Sequence, residues 1–335
     1  MKEAMFYQKL ENNKIRCNLC HHKCIISENK KGICFVRKNR NGILYSLVYG
    51  KVVASNIDPI EKKPLFHFYP GSMAYSIATV GCNFRCLHCQ NWEISQIKDG
   101  ILGRDINPEV IVKNTIDSNC RSIAYTYTEP TIFYEYAYDI AKIAHNEGLK
   151  NLFITNGYIS EEALKEISPY LDAANIDLKG MNDDFYRRIC GAKLQPILDN
   201  IQLYHDLGIW IELTTLIIPS YNDDPDELKK IAEYISGIDV DIPWHVTGFY
   251  PTYKLNDIAP TSVEILNKAV EIGRKAGLNY VYQGNRRQGE DTYCPSCGKI
   301  LIVRDYFKTT LNNINKEVCP YCGKKIAGVG ISKVK

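Results

Sequence analysis

The chain has 335 residues, with 41 Lys and Arg against 38 Asp and Glu and a formal net charge of +3. That near balance, without a long block of one sign, gives no support to a nucleic-acid or anionic-membrane partner. No stretch approaches the ~18 apolar residues that would span a bilayer, so the expectation is a soluble, cytoplasmic protein with one barrel-sized domain and smaller appendages.

The 13 cysteines are too many for a reducing cytosol to carry idly, and metal binding is the expected use. In chain order the first set is Cys17, Cys20, Cys24 and Cys34, with His21 and His22 standing among them as alternative ligands. Structural zinc is the first reading of this set and an auxiliary iron–sulfur cluster the second. Ile43–Ile57 reads as two short strands around Tyr49, Gly50 and Lys51, and a Pro-punctuated connector from Asp58 to Gly71 closes an N-terminal module, residues 1–71.

From Tyr75 onward a short β-rich run, an amphipathic helix and a Gly repeat as one phrase, the mark of βα units. Strands are expected at Tyr75–Thr79, Ser122–Tyr127, Asn151–Thr155, Ala173–Lys179, Trp210–Ile217 and Trp244–Phe249, with Tyr280–Gln283 available as a seventh. Asn107-Pro108 and Ser160 open helices, and Gly148, Gly208, Gly237 and Gly277 are expected to close them. The fold class is therefore α/β, a partial parallel (β/α)6 barrel over residues 72–285 that a seventh strand would extend. A polar linker, Arg286 to Thr292, leads into a C-terminal module, residues 286–335, where Cys294, Cys297, Cys319 and Cys322 form two Cys-Pro-x-Cys-Gly knuckles. Four thiolates without a spare position make a closed tetrahedral zinc site. Cys120 and Cys190 read as small buried thiols.

Cys82, Cys86 and Cys89 come from one short loop directly after the first barrel strand, where parallel barrels keep their chemistry. A four-iron cubane in a ferredoxin takes four thiolates, so three leave one iron open. An open iron can be chelated by the amino and carboxylate groups of S-adenosylmethionine, which sets a sulfonium beside a low-potential reductant. A zinc ion taking His88 as fourth ligand is the competing reading. The strands add a second argument, because alternate residues share a face. Asn175, Asp177 and Lys179 share one, Glu212 and Thr214 another, His245 and Thr247 a third, and Gln283 with Asn285 a fourth. Adjacent polar faces imply a polar, ligand-holding lumen; a buried network such as Asp177 with Lys179 is the alternative.

The run Gly81-Cys-Asn-Phe-Arg-Cys-Leu-His-Cys89-Gln-Asn91 resembles the radical S-adenosylmethionine (SAM) superfamily signature, with His88 in the aromatic place beside the last cysteine. Within that superfamily the chain resembles the pyruvate formate-lyase-activating-enzyme-like proteins. The N-terminal cysteine set through Arg37, the run Asp58-Pro-Ile-Glu-Lys-Lys-Pro-Leu-Phe-His67 and the terminal knuckles are together similar to the AmmeMemoRadiSam-system radical SAM enzymes. The resemblance implies a [4Fe–4S] cluster on Cys82, Cys86 and Cys89. It also implies that Thr128 and Glu129 meet the cofactor's amino group, and that Thr155, Asn156, Asp177 and Lys179 help hold its methionine and ribose. Ile154 stands where the activating enzymes carry Asp. His88, Glu212, Thr214 and His245 complete the candidate SAM-binding set.

The resulting expectation is an oxidoreductase that cleaves SAM to a 5′-deoxyadenosyl radical and abstracts hydrogen from a small molecule or peptide. A glycyl-radical activase acting on a protein backbone is the alternative, and a zinc-ribbon nucleic-acid-binding protein the remote one, disfavoured by charge. Implied partners are a flavodoxin or ferredoxin as reductant and the Memo-like and AMMECR-like proteins of that system.

Overall fold

A computed structural model of the chain describes residues 1–98, 100–286 and 289–332. Eight strands stand in sequence order across one mostly parallel sheet: β1 (Ala54–Pro59), β2 (Met73–Ala78), β3 (Ser122–Tyr125), β4 (Lys150–Thr155), β5 (Ala173–Asp177), β6 (Trp210–Ile217), β7 (Trp244–Gly248) and β8 (Val281–Gly284). The seventh barrel strand, β8, is thus present and pairs in parallel with β7. β1 joins the sheet as well, although the sequence alone places it in the N-terminal module. Near-continuous burial along β2, β3 and β4 is what a parallel sheet covered on both faces requires.

Among the described residues, six helices of seven or more residues connect these strands: α1 (Pro108–Asp117), α2 (Tyr134–Asn146), α3 (Glu161–Ile167), α4 (Gln195–Asp206), α5 (Pro225–Ile238) and α6 (Val263–Lys275). Their starts follow side-chain chemistry. Ser160, Asp224 and Ser262 each accept a backbone N–H of the first turn, and α1 begins with Pro108 at its first position, behind Asn107. Gly148, Gly208 and Gly277, at φ +73°, +74° and +95°, lie just past α2, α4 and α6, in the left-handed conformation that ends a helix. Gly237 does not follow this pattern: it lies inside α5, which runs on to Ile238 and closes with Asp239 N–H on Ile235 O. The buried stripe Leu228, Ile231, Ala232 and Ile235 outweighs the roughly 1 kcal/mol that an interior Gly costs.

The chain divides into two compact units, each with its own core. The first comprises Met1–Asp58, Met73–Ala174 and Arg187–Ile209. Its N-terminal segment makes two small antiparallel sheets, and the Arg37–Glu135 ion pair ties it to α2, with Nη2–Oε1 at 2.6 Å and both side chains under 3 % exposed. Glu135 also accepts the Met5 N–H at 2.7 Å, so its charge is compensated where burial would otherwise be costly.

The second unit holds Pro59–Ser72, Asn175–Tyr186 and the chain from Trp210 onward. Its C-terminal ribbon is a three-stranded sheet of Thr292–Tyr293, Ile300–Asp305 and Lys308–Asn312. Leu301, Ile302, Ile314 and Ile331 of the ribbon share a core with Phe66, Tyr280 and Tyr282, apolar surface that a ribbon this small lacks by itself. Positions 287 and 288 of the expected linker lie outside the described residues. Among the described residues, no helix is long and apolar enough to cross a membrane.

Candidate active site

The Cys82–Cys89 loop leaves β2 through Val80 and Gly81. Gly81 has φ +100°, and a Cβ there would stand 2.6 Å from Val36 Cγ1 and 3.0 Å from Cys34 O, so only glycine admits this approach of the N-terminal segment. The loop is fixed by its backbone: Arg85 N–H donates to Cys190 O at 2.8 Å and Leu87 N–H to Ile189 O at 2.9 Å. The Arg85 guanidinium caps Cys82 O at 2.8 Å and Phe84 O at 2.7 Å, and also reaches Ile33 O. Cys82 Sγ accepts from Phe84 N–H at 3.3 Å, and Cys89 Sγ lies 3.1 Å from Ser95 Oγ. Burial pushes the Cys82 thiol well above its usual pKa, with the Glu129 carboxylate and Cys86 adding to the effect. His88, in the same loop, is buried.

Behind the loop stands Glu129, 1 % exposed. Its Oε1 accepts from Thr131 N–H at 3.0 Å, Thr131 Oγ1 at 2.6 Å and Thr155 Oγ1 at 2.8 Å, and its Oε2 from Asn156 N–H at 2.8 Å. Burial raises its carboxyl pKa while these donors pull it down. Asn156 in turn donates from Nδ2 to Asn83 Oδ1 at 2.7 Å and approaches Cys82 Sγ at 3.9 Å. Glu129, Thr155 and Asn156 are therefore brought together with the cysteine loop. Thr128 caps Thr79 O at 2.9 Å, and Tyr127, at φ +63°, hydrogen-bonds Asp58 through its hydroxyl. Asn83, Arg85 and Ser95 escape a reading by sequence alone, because motif spacing identifies the sulfurs and not the groups that hold them.

In the second unit the polar strand residues form connected pairs. Asp177 and Lys179 meet at 2.7 Å, and Thr214 Oγ1 donates to Asn175 Oδ1 at 2.8 Å. Glu212 is fully buried and takes four donors: Phe66 N–H at 2.9 Å, His67 N–H at 2.7 Å, Trp210 Nε1–H at 3.1 Å and His245 Nε2–H at 2.7 Å. The expected pairing of Gln283 and Asn285 with this face does not occur. His245 stands in register with Tyr282, whereas Gln283 pairs with Val246 on the opposite face and donates to Asn267 of α6. A one-residue offset in reading β8 inverts every side chain.

His67 belongs to the same network, with Nδ1 2.7 Å from Ala327 O and Nε2 2.6 Å from Tyr282 Oη. The carbonyl assigns the proton to Nδ1. Burial lowers its pKa from 6.5 to about 4, so between those values the unfolded chain binds the extra proton. Stability is expected to fall as pH drops from 6.5 to 4, by up to about tenfold in the folding equilibrium per pH unit. His67→Gln should remove one proton from that slope; an unchanged slope in thermal melts across this range would refute the assignment.

A family model for the Radical SAM superfamily matches residues 76–235, the span that begins in β2 and includes the cysteine loop. An uncharacterized protein of Methanocaldococcus jannaschii is 50% identical over 97% of this chain and 99% of its own length. Residues 76–235 carry a radical SAM domain. The pyruvate formate-lyase-activating enzyme of Clostridium pasteurianum is 24% identical over 56% of this chain and 82% of that enzyme. The crystal structure of Streptococcus suis SuiB bound to S-adenosylmethionine superposes with a TM-score of 0.52 at 10% identity, covering 68% of this chain and 53% of that one. The radical SAM fold implies a [4Fe–4S] cluster and SAM, and the donor chemistry of the Cys82–Cys89 loop fits a cluster ligand set. Three thiols on one loop, with N–H groups aimed at Cys82 Sγ, supply the sulfur hydrogen bonds that tune such clusters.

The C-terminal cysteines make a different kind of site. Cys294, Cys297, Cys319 and Cys322 bring all four sulfurs within 4.8 Å of one another, with Cys294–Cys322 at 3.6 Å and Cys297–Cys319 at 3.7 Å. Gly298 and Gly323, at φ +69° and +75°, turn each knuckle so that the Gly N–H returns to the first cysteine's carbonyl at 2.9 Å. The set can hold one metal ion in a closed site.

Proposed function

We propose that this radical SAM protein uses Cys82, Cys86 and Cys89 to hold a [4Fe–4S] cluster and acts as an AmmeMemoRadiSam-type enzyme on a small molecule or short peptide. When bound, the cluster supplies one electron for cleavage of SAM to a 5′-deoxyadenosyl radical, which abstracts hydrogen from the substrate. The chain's own part is positioning. Arg85 and the Ile189–Cys190 backbone fix the loop, Phe84 N–H and Asn156 hold Cys82 Sγ, and Glu129 fixes the Asn156 backbone. Thr128, Thr155, Asp177, Lys179, Glu212, Thr214 and His245 remain the candidate SAM contacts, with His88 beside the last ligand. Zinc in the closed C-terminal site, a flavodoxin or ferredoxin as donor, Memo-like and AMMECR-like partners and a cytoplasmic location complete the reading.

The observation that carries it is the loop itself, three thiols from one turn of chain and a backbone committed to holding them. A glycyl-radical activase is the second reading, favoured by the similarity to pyruvate formate-lyase-activating enzymes. Anaerobic iron–sulfur reconstitution, then dithionite and SAM, should yield 5′-deoxyadenosine. Cys86→Ala should reduce it to the level of protein-free controls, and product equal to the wild type would overturn the proposal. Addition of candidate glycyl-radical enzymes, scored for a protein radical by electron paramagnetic resonance, separates the two substrate classes.

A further inference from the structure

We infer that Cys17, Cys20, Cys24 and Cys34 hold an iron–sulfur cluster and not a zinc ion. A single tetrahedral ion with Zn–S near 2.3 Å draws its four sulfurs to about 3.8 Å from one another. The C-terminal knuckles have that spacing, with Sγ pairs at 3.6 and 3.7 Å. Among the described residues they are the only group of three or more Cys, His, Asp or Glu whose ligand atoms all lie within 4.8 Å. The N-terminal thiols do not meet that limit, yet all four line one cavity. Within one chain, then, the N-terminal set departs from the closed single-ion spacing of the C-terminal site, as the Cys82–Cys89 loop does.

The cavity walls agree with a bulky anionic occupant. Apart from the thiols they are mainly apolar, with Leu19, Ile26, Ile33 and Ile132, the surroundings in which a cluster is shielded from water. Neither neighbouring histidine lines the cavity, and His22 Nε2 is committed to Asn83 O at 2.8 Å. The Arg37 side chain does line it, and its Nε is buried without a hydrogen-bond partner. With its Nη groups taken by Glu135, Arg37 keeps this one Nε–H to donate to a sulfur in the cavity. Cys17, Cys20 and Cys34 are themselves buried. His22 Nε2 meets the Asn83 carbonyl and the Arg85 guanidinium donates to Ile33 O, so the segment carrying these cysteines touches the Cys82–Cys89 loop.

The test uses the full chain carrying Cys82→Ala, Cys86→Ala and Cys89→Ala, reconstituted anaerobically with iron and sulfide. Iron, acid-labile sulfide and zinc are then counted, and Mössbauer spectra recorded. Because this variant lacks the other cluster loop, its sulfide content is independent of the radical SAM reading. Sulfide and iron in equal amounts, up to about four of each per chain, are expected alongside about one zinc. A variant without acid-labile sulfide, whether it holds a second zinc or nothing in this site, overturns the assignment. Should the triple variant fail to fold, Cys20→Ser with Cys34→Ser on the wild-type loop is the alternative. Sulfide is expected to fall by about half, and unchanged sulfide overturns the proposal.

Discussion

Glu129→Gln is expected to lower stability by about 3 kcal/mol, to reduce the iron and sulfide retained by the Cys82–Cys89 loop, and to cut 5′-deoxyadenosine formation at least about tenfold. Oε1 accepts from three donors and Oε2 from the Asn156 N–H. A Gln side chain keeps one carbonyl oxygen and turns an NH2 group toward the remaining donors. The two threonine hydroxyls can rotate and accept instead, but the N–H groups of Thr131 and Asn156 cannot. With the amide oxygen in the Oε1 place, an N–H faces the Asn156 N–H, and that backbone must move. Asn156 is the residue whose Nδ2 holds Asn83 Oδ1 at 2.7 Å, so the shift passes to the cysteine loop. The alternative role, direct contact with the amino group of SAM, predicts something else: a higher KM for SAM with melting temperature and cluster content unchanged. Glu129→Gln measured by calorimetry, sulfide content and SAM titration separates the two, and a variant that melts and loads like the wild type would sink the positioning role.

Local signals were the legible part of this chain. Strand positions could be read because parallel strands here are short apolar runs between helix caps, and Ser160 and Asn107 stand where the caps stand. The cysteine groups were legible through spacing alone. What could not be read is whatever depends on partners distant in sequence. Arg37 and Glu135 are 98 positions apart, and nothing in the neighbourhood of either says that they pair. Glu212 reads as a polar lumen residue by alternation, yet its carboxylate is taken up by backbone N–H groups 145 and 146 positions away, in a connector with little regular structure. Gln283 failed for another reason. Alternation gives a face only once the register is known, and β8 is too short to fix its register without β7 beside it. Gly237 shows the limit of a stop signal, since glycine ends a helix only where the apolar stripe has also ended.

The largest stability change is expected from Glu212→Ala, about 3–5 kcal/mol, seen in calorimetry as a melting temperature roughly 10 °C lower. The substitution removes a buried negative charge and strands four donors at once: two backbone N–H groups at Phe66 and His67, the indole of Trp210 and the imidazole of His245. Backbone donors cannot rotate away, and each buried orphan costs its own desolvation. The first consequence should be release of the segment around Phe66 and His67, whose ring contacts with Tyr282 and His245 depend on that anchoring. Ribbon core residues Leu301 and Ile302 pack in the same cluster as Phe66, so hydrogen exchange should rise there too. The pH dependence supplies an internal check. Burial alone would raise the Glu212 carboxyl, but the hydrogen bond and charge of His245 and the contacts from His67 hold it below the usual 4.5. A carboxyl with a depressed folded pKa contributes stability at pH above 4.5 and loses it as pH falls through the lower folded value. Glu212→Ala should therefore flatten the acid limb below pH 4.5. Retention of the full acid limb in the variant would mean that this carboxylate is not the group holding the network together.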